Sequence, residues 1–329
     1  MCYARSAVLL LLGVSVPPWS IFTTDDPVRR TANQDEVTMI AGVLHQIISG
    51  IATGGIYASV ALALVMIYQA THHINFAQGE MATFSTYIAL TLINAGLPYW
   101  VAFLATVAIS FVIGVAIERI LMRPMTNAPV LASVGVFIGL LLIINSLSGW
   151  LFDYTIKQFP SPFGSGKPML GGFVSAHELG STAVTLIVLS TVYLFFRHTS
   201  LGLAMRAAAF NPVSARLVGI RVGWMLALGW GLAAAIGAIA GMMVAPIVFL
   251  DPNMMAGILL YAFAGALLGG IDSPLGAVLG GFAVGVIENL AGAYVVGTEL
   301  KLTVALIIIV CVLVIKPSGL MGRTVQSRV

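Results

Sequence analysis

Runs of mostly apolar residues follow one another along most of this chain. Each is about 17 to 25 residues long, the length an α-helix needs to cross a bilayer's hydrocarbon core. Few architectures accept such runs. Hydrocarbon offers no partner to a bare peptide group, so spanning segments are helices or strands of a closed barrel. A barrel would read as alternating segments of about 10 residues, whereas these runs are continuous. The expected fold is therefore all-α, a polytopic membrane helical bundle. Composition agrees: 59% of residues are hydrophobic and 8% charged, and the mean hydropathy is +1.03, which excludes a soluble globular domain. The net charge of +3 comes from scattered residues with no basic run interleaved with aromatics, so nucleic acid is not an expected partner. Cys2 and Cys311 are too few and too far apart for a disulfide framework or a metal site.

The candidate spans are Val43 to Tyr68, Gln78 to Ala95, Tyr99 to Leu121, Pro129 to Leu151, Leu179 to Phe196, Trp224 to Leu250, Met255 to Ile271, Pro274 to Tyr294 and Leu302 to Ile315. At 1.5 Å per residue the Met255 segment reaches only about 25 Å, so eight or nine transmembrane helices are expected, with broken or re-entrant segments among them. Arg119, Arg123, Arg197, Arg206, Arg216, Arg221, Lys316, Arg323 and Arg328 fall at one set of ends. Lysine and arginine mark cytoplasmic loops, so a multi-pass membrane protein with its C-terminus inside is expected. Glycine spacings at Gly50/Gly54, Gly135/Gly139, Gly237/Gly241, Gly265/Gly269 and Gly281/Gly285 allow close helix approach.

Two polar breaks interrupt the hydrophobic pattern. INFAQGEM, Ile74 to Met81, sets Asn75, Gln78 and Glu80 between two apolar runs. Unpaired polar groups are costly in hydrocarbon, so such residues line water, protein or a substrate path. A helix beginning there would present its positive end to a substrate carboxylate; the alternative is a solvated cytosolic turn. The second break, GALLGGIDSPLGAVLGG, places Asp272 and Ser273 before Pro274, in the manner of a cap and first residue of a new helix. Paired interruptions are the trace of repeat-built transporters. In the loop from His198 to Gly223, Asn211 can cap, Pro212 fits a first turn and Gly219 can stop a short exposed helix, suited to packing on the membrane domain or docking on a soluble partner.

INFAQGEM, RAAAFNPVSARLVGI, LLGGIDSPLGAVLGG and the KPSGLMGR ending, in this order, closely resemble the membrane permeases of branched-chain (hydrophobic) amino-acid ABC importers. The resemblance runs from about Met39 to Arg323. It implies a permease beside a second homologous permease subunit, two ATP-binding cassette subunits and a substrate-binding protein, carrying amino acids. No cofactor is then expected on this chain, ATP and magnesium belonging to the ATPases. It also implies that Arg206, Asn211, Ala215, Gly219 and Ile220 belong to the ATPase-coupling loop, and that Asn75, Gln78, Gly79 and Glu80 flank the translocation path.

Other features are weaker. GSGKPM at Gly164 to Met169 is no Walker A loop, because Ser161 stands where the first glycine should be and Pro168 where Ser/Thr should be. His72, His73 and His177-Glu178 lack metal-site spacing and read as loop residues. No G-x-S-x-G elbow is present, so no catalytic residue is expected. Glu288, beside Asn289 in the eighth run, suits a helix partner or a coupling proton; the former is favoured here. Residues 1 to 38 resemble neither a convincing signal peptide nor a span, and a mis-assigned upstream start is the simpler reading. The permease domain is then 39 to 323, with 324 to 329 a cytosolic tail. An ion-coupled secondary transporter using Glu80 or Glu288 is the rival.

Overall fold

The computed structural model describes residues 27–71, 73–125, 128–164 and 175–322. The leader up to residue 26, His72, the GSGKPM positions from 165 on, and the tail with Arg323 and Arg328 lie outside the described residues.

Helices account for nearly all of the described chain. They are α1 (Pro27–Thr71), α2 (Gln78–Asn94), α3 (Tyr99–Ile117), α4 (Val130–Phe152), α5 (Ala176–His198), α6 (Ser200–Phe210), α7 (Pro212–Leu217), α8 (Val222–Val248), α9 (Met254–Gly269), α10 (Pro274–Tyr294) and α11 (Lys301–Ile315). A π-turn at Glu118–Met122 and a 3-10 turn at Arg123–Met125 prolong α3. The chain divides into two compact units at Leu44. In the first, the described residues are helical from Pro27 and Met39 to Leu44 are largely solvent- or lipid-accessible.

In the second unit, His45–Val329, α8 is the central element: α3 and α2 pack along it, and α9 pairs with α10 and α11. Seven described helices are long and apolar enough to cross a membrane, so the protein is a multi-pass helical membrane protein. Every one of the nine expected spans is helical, but two fall short of that length: α2 has 17 residues and α9 has 16, while α11 reaches it only with the 3-10 turn Thr298–Leu300 that precedes it. Lipid-facing surfaces are apolar, as on α4, α5 and α11, where Leu131, Ile143, Ile187 and Val314 are exposed. Lipid gives no hydrophobic drive between helices, so contact rests on close packing and internal hydrogen bonds.

Glycine supplies the close packing. A Cβ on Gly285 would lie 2.3 Å from the Gly54 Cα, and one on Gly281 2.5 Å from the Ala58 Cα, so α1 and α10 touch backbone to backbone. Gly265 and Gly269 meet Gly276, Gly280 and Gly281 in the same way, and Gly237 and Gly241 face Gln78, Ala82 and Thr86 of α2. The fifth expected pair is different. Among the described residues nothing lies within 4 Å of a Cβ on Gly135 or Gly139, so there these make no helix contact.

The second polar break is a helical hairpin. α9 stops at Gly270, whose φ of +111° suits glycine, and Ser273 caps α10 by accepting from the Gly276 N–H at 3.1 Å. The C-terminal segment closes this turn: Leu320 and Met321 N–H groups donate to the Leu268 and Gly269 carbonyls at 2.8 and 2.9 Å. The last carbonyls of a helix otherwise lack partners.

Candidate functional site

α2 begins inside the bundle. Gln78 Nε2 donates to the Ala233 carbonyl at 2.9 Å, and Gly237 and Gly241 lie against Gln78, Ala82 and Thr86. Residue numbers rise together on the two helices, so α2 starts alongside the middle of α8. Asn75, Gln78 and Glu80 are all buried, which excludes a solvated cytosolic turn. Asn75 orders the entry: its Oδ1 accepts from the Ala77 N–H at 3.0 Å, and its backbone carbonyl accepts from the Gln78 N–H at 3.3 Å. Gly79 lies within the first turn, close to Met255 and Leu259 of α9.

Glu80 occupies that same first turn and places its own carboxylate near the positive end of α2. Its Oε2 accepts from Asn145 Nδ2 of α4 at 3.2 Å. Gln78 Oε1 is buried with no hydrogen-bonding partner among the described residues. The four positions read from the sequence are thus held together where α2, α4, α8 and α9 converge. Asn145 escaped the sequence reading; the available signal was an amide set in the apolar run of α4.

The loop after α5 is more structured than expected. Thr199 caps an additional helix, α6, by accepting from the Gly202 N–H at 3.0 Å. Asn211 then serves two helices. Its N–H donates to the Ala207 carbonyl at 3.0 Å to close α6, and its Oδ1 accepts from the Ser214 N–H at 3.0 Å to open α7. Pro212 occupies the first turn, as the sequence implied. Gly219 (φ +83°) and Ile220 donate to the carbonyls of Arg216 and Ala215, both at 3.0 Å, the paired bonds of a Schellman stop. Ala215 is buried with Ala208 and Val222, and Ile220 packs on them. Arg206 is exposed. Phe210, Val213, Leu217 and Val218 are 81%, 67%, 84% and 77% exposed, so a short, doubly capped helix carries an uncovered apolar surface flanked by Arg206 and Arg216.

A second polar cluster joins α1, α10 and α11. Tyr57 donates to Glu288 Oε2 at 2.8 Å, and Lys301 Nζ lies 3.9 Å from Glu288 Oε1. Lys301 also donates to Asn289 Oδ1 at 2.9 Å, while Asn289 Nδ2 donates to Thr53 at 2.9 Å. Glu288 thus has the helix partners favoured from the sequence. Glu118 is a further buried acid, at the end of α3 with Arg119 3.7 Å away.

The pair His177-Glu178 needs correction. Both lie in the first turn of α5, not in a loop. His177 bridges Ser161 Oγ and the Met243 carbonyl at 2.9 and 2.8 Å. Glu178 completes a capping box with Ser175 and accepts from Ser49 at 3.0 Å. Among the described residues, no group of three or more His, Cys, Asp or Glu is placed to hold a metal ion.

Residues 46–313 match the family described as branched-chain amino acid transport system / permease component. The high-affinity branched-chain amino acid transport system permease protein LivH of Salmonella typhimurium is 29% identical over 304 residues, covering 87% of this chain and 97% of that protein. The corresponding BraD of Pseudomonas aeruginosa is 31% identical over 303 residues, covering 87% and 98%. A solved chain of PsaBC from Streptococcus pneumoniae in complex with Fab aligns with a TM-score of 0.46 at 13% identity, over 84% of this chain and 92% of that one. On the family match and these relatives, the chain belongs to the branched-chain amino acid transport system permease component family.

Proposed function

We propose that this chain is the membrane permease subunit of an ATP-binding cassette importer carrying branched-chain or other hydrophobic amino acids into the cytoplasm. The observation that carries this reading is the α6–α7 unit: Asn211 and the Gly219 stop fix a short helix whose apolar face has no cover among the described residues. Isolated helices this short are marginal in water, so such investment in both ends fits a rigid docking element. Its occupant would be a cytosolic ATPase subunit, which brings the ATP and magnesium. A second permease, a second ATPase and a substrate-binding protein complete the machine. Arg119, Arg123, Arg197, Arg206, Arg216 and Arg221 then face the cytoplasm of an inner-membrane protein, with the C-terminus on the same side.

The work of this chain is mechanical. ATP binding on the partners would draw two docking elements together, and glycine-packed helices with two discrete arrangements would exchange which side of the path is open. Asn75, Gln78, Gly79 and Glu80 would flank that path. Uptake of labelled leucine by cells carrying the whole system tests the energy source. Loss of uptake on ATP depletion, with uptake retained under an uncoupler when ATP is maintained, supports the reading. The reverse pattern would assign an ion-coupled transporter.

A further inference from the structure

Asn145, within α4, joins three separate parts of the bundle. Its Nδ2 lies 3.2 Å from Glu80 Oε2 at the start of α2, 3.2 Å from the Pro252 carbonyl and 3.0 Å from Asn253 Oδ1. Pro252 and Asn253 belong to the corner between α8 and α9. An amide nitrogen carries two hydrogens, so three acceptors share them.

That corner is under backbone strain. Phe249, which closes α8, has a φ of +64°, and Asp153, which closes α4, has a φ of +62°. Side chains disfavour this left-handed region, and a residue stays in it only where its surroundings hold it. Just beyond the two strained residues, Leu250 and Lys157 exchange both backbone hydrogen bonds at 2.9 Å. Asp251 Oδ2 accepts from the Asn253 N–H at 3.2 Å. Leu250 is fully buried beneath the corner. The Lys157 pairing holds one edge of the corner, and Asn145 holds the other.

We propose that Asn145 is a positioning residue for transport: it latches the strained α8–α9 corner to Glu80 in the buried first turn of α2, so that the corner stays closed while α2 is seated. Movement of α2 would withdraw Glu80 from the shared nitrogen and release its hold on α4, and movement of α4 would carry that nitrogen away from Pro252 and Asn253 and free the corner. The functional part of this proposal rests on the transport reading above; the latch itself is tested without transport.

The test uses the full chain with Cys2 and Cys311 replaced by serine, in unsealed membrane fragments. A polar maleimide reports opening at Leu250→Cys, and Ser59→Cys, buried in α1, reports general loosening. Adding Asn145→Leu should speed labelling at Leu250→Cys about tenfold and leave Ser59→Cys unchanged, the effect of removing hydrogen bonds that close a local opening. Asn253→Ala, at an exposed position, removes one acceptor and should give a smaller increase, so the proposal stays testable if Asn145→Leu fails to accumulate. Equal labelling with and without Asn145 would overturn the latch, as would equal acceleration at both reporters. Failure of leucine uptake in the parent system would count against the transport reading alone.

Discussion

The Tyr57 hydroxyl on α1 donates a 2.8 Å hydrogen bond to the Glu288 carboxylate on α10. Around this bond gather Lys301, Asn289 and Thr53, and Tyr261 stacks on the Tyr57 ring with centroids 4.9 Å apart. Four helices therefore meet on one acid in a region where lipid gives helices little reason to associate.

Removing one member of that cluster strands the others. Lys301→Met leaves Glu288 without its cation, and Glu288→Leu leaves Lys301 and Tyr57 with a lost acceptor. Each should cost about 1–3 kcal/mol. The double change Glu288→Gln with Lys301→Gln should recover much of the loss, because no buried charge is then left alone. Thermal unfolding in detergent reads both effects; a double variant no better than Lys301→Met would contradict the pairing.

Glycine positions with identical spacing should respond in opposite ways. Gly285→Val forces a side chain into the Gly54 backbone and should cost at least ~1–3 kcal/mol, the range for overpacking a tight contact. Gly135→Ala meets open space and should be neutral or stabilising by ~0.5–1 kcal/mol, since alanine favours a helix more than glycine does. Melting temperatures of the two variants check the contrast.

Much of this architecture was legible in the sequence. INFAQGEM announced a break because polar residues interrupt apolar runs, and Asn211, Pro212 and Gly219 announced a capped helix because caps are local chemistry. What escaped was tertiary. The partner of Glu80 is Asn145, 65 residues away, and spacing in one segment says nothing about which amide faces it. Lys301 stands just before the expected span from Leu302, and nothing in its sequence position shows that it turns inward to Glu288 and Asn289. Glycine spacing marked Gly135/Gly139 and Gly281/Gly285 alike, because it cannot say which face meets a neighbour. Helix α6 was missed although Thr199 stood ready as its cap.

Gly219 should matter through its backbone. Its φ of +83° is left-handed, and a β-branched side chain there is strained by ~1–2 kcal/mol, so Gly219→Val should disorder the stop of α7. Chain abundance in the membrane should hold, while uptake falls about tenfold as the docking-competent form becomes scarce. Gly219→Asn, which tolerates that conformation, should retain most uptake. Unaltered transport in Gly219→Val would remove the docking role.

Glu80 and Glu178 separate a path residue from a cap. Glu80→Ala removes one of the three acceptors of Asn145 and should lower uptake strongly, with Glu80→Gln milder because it keeps an acceptor. Glu178→Ala loses a capping box and the Ser49 bond and should cost ~1 kcal/mol of stability with little change in the affinity for transported solute. Uptake kinetics and unfolding of the three variants distinguish the roles; equal uptake loss in Glu80→Ala and Glu178→Ala would contradict a path role for Glu80.

The most direct measurement reconstitutes the purified chain in liposomes and follows labelled leucine against a concentration gradient, with and without the companion subunits. Alone, the chain should accumulate nothing, with or without ATP or an imposed proton gradient. Accumulation should begin when the ATPase, the second permease and the binding protein are added with ATP. Uphill accumulation by the chain alone would contradict the account.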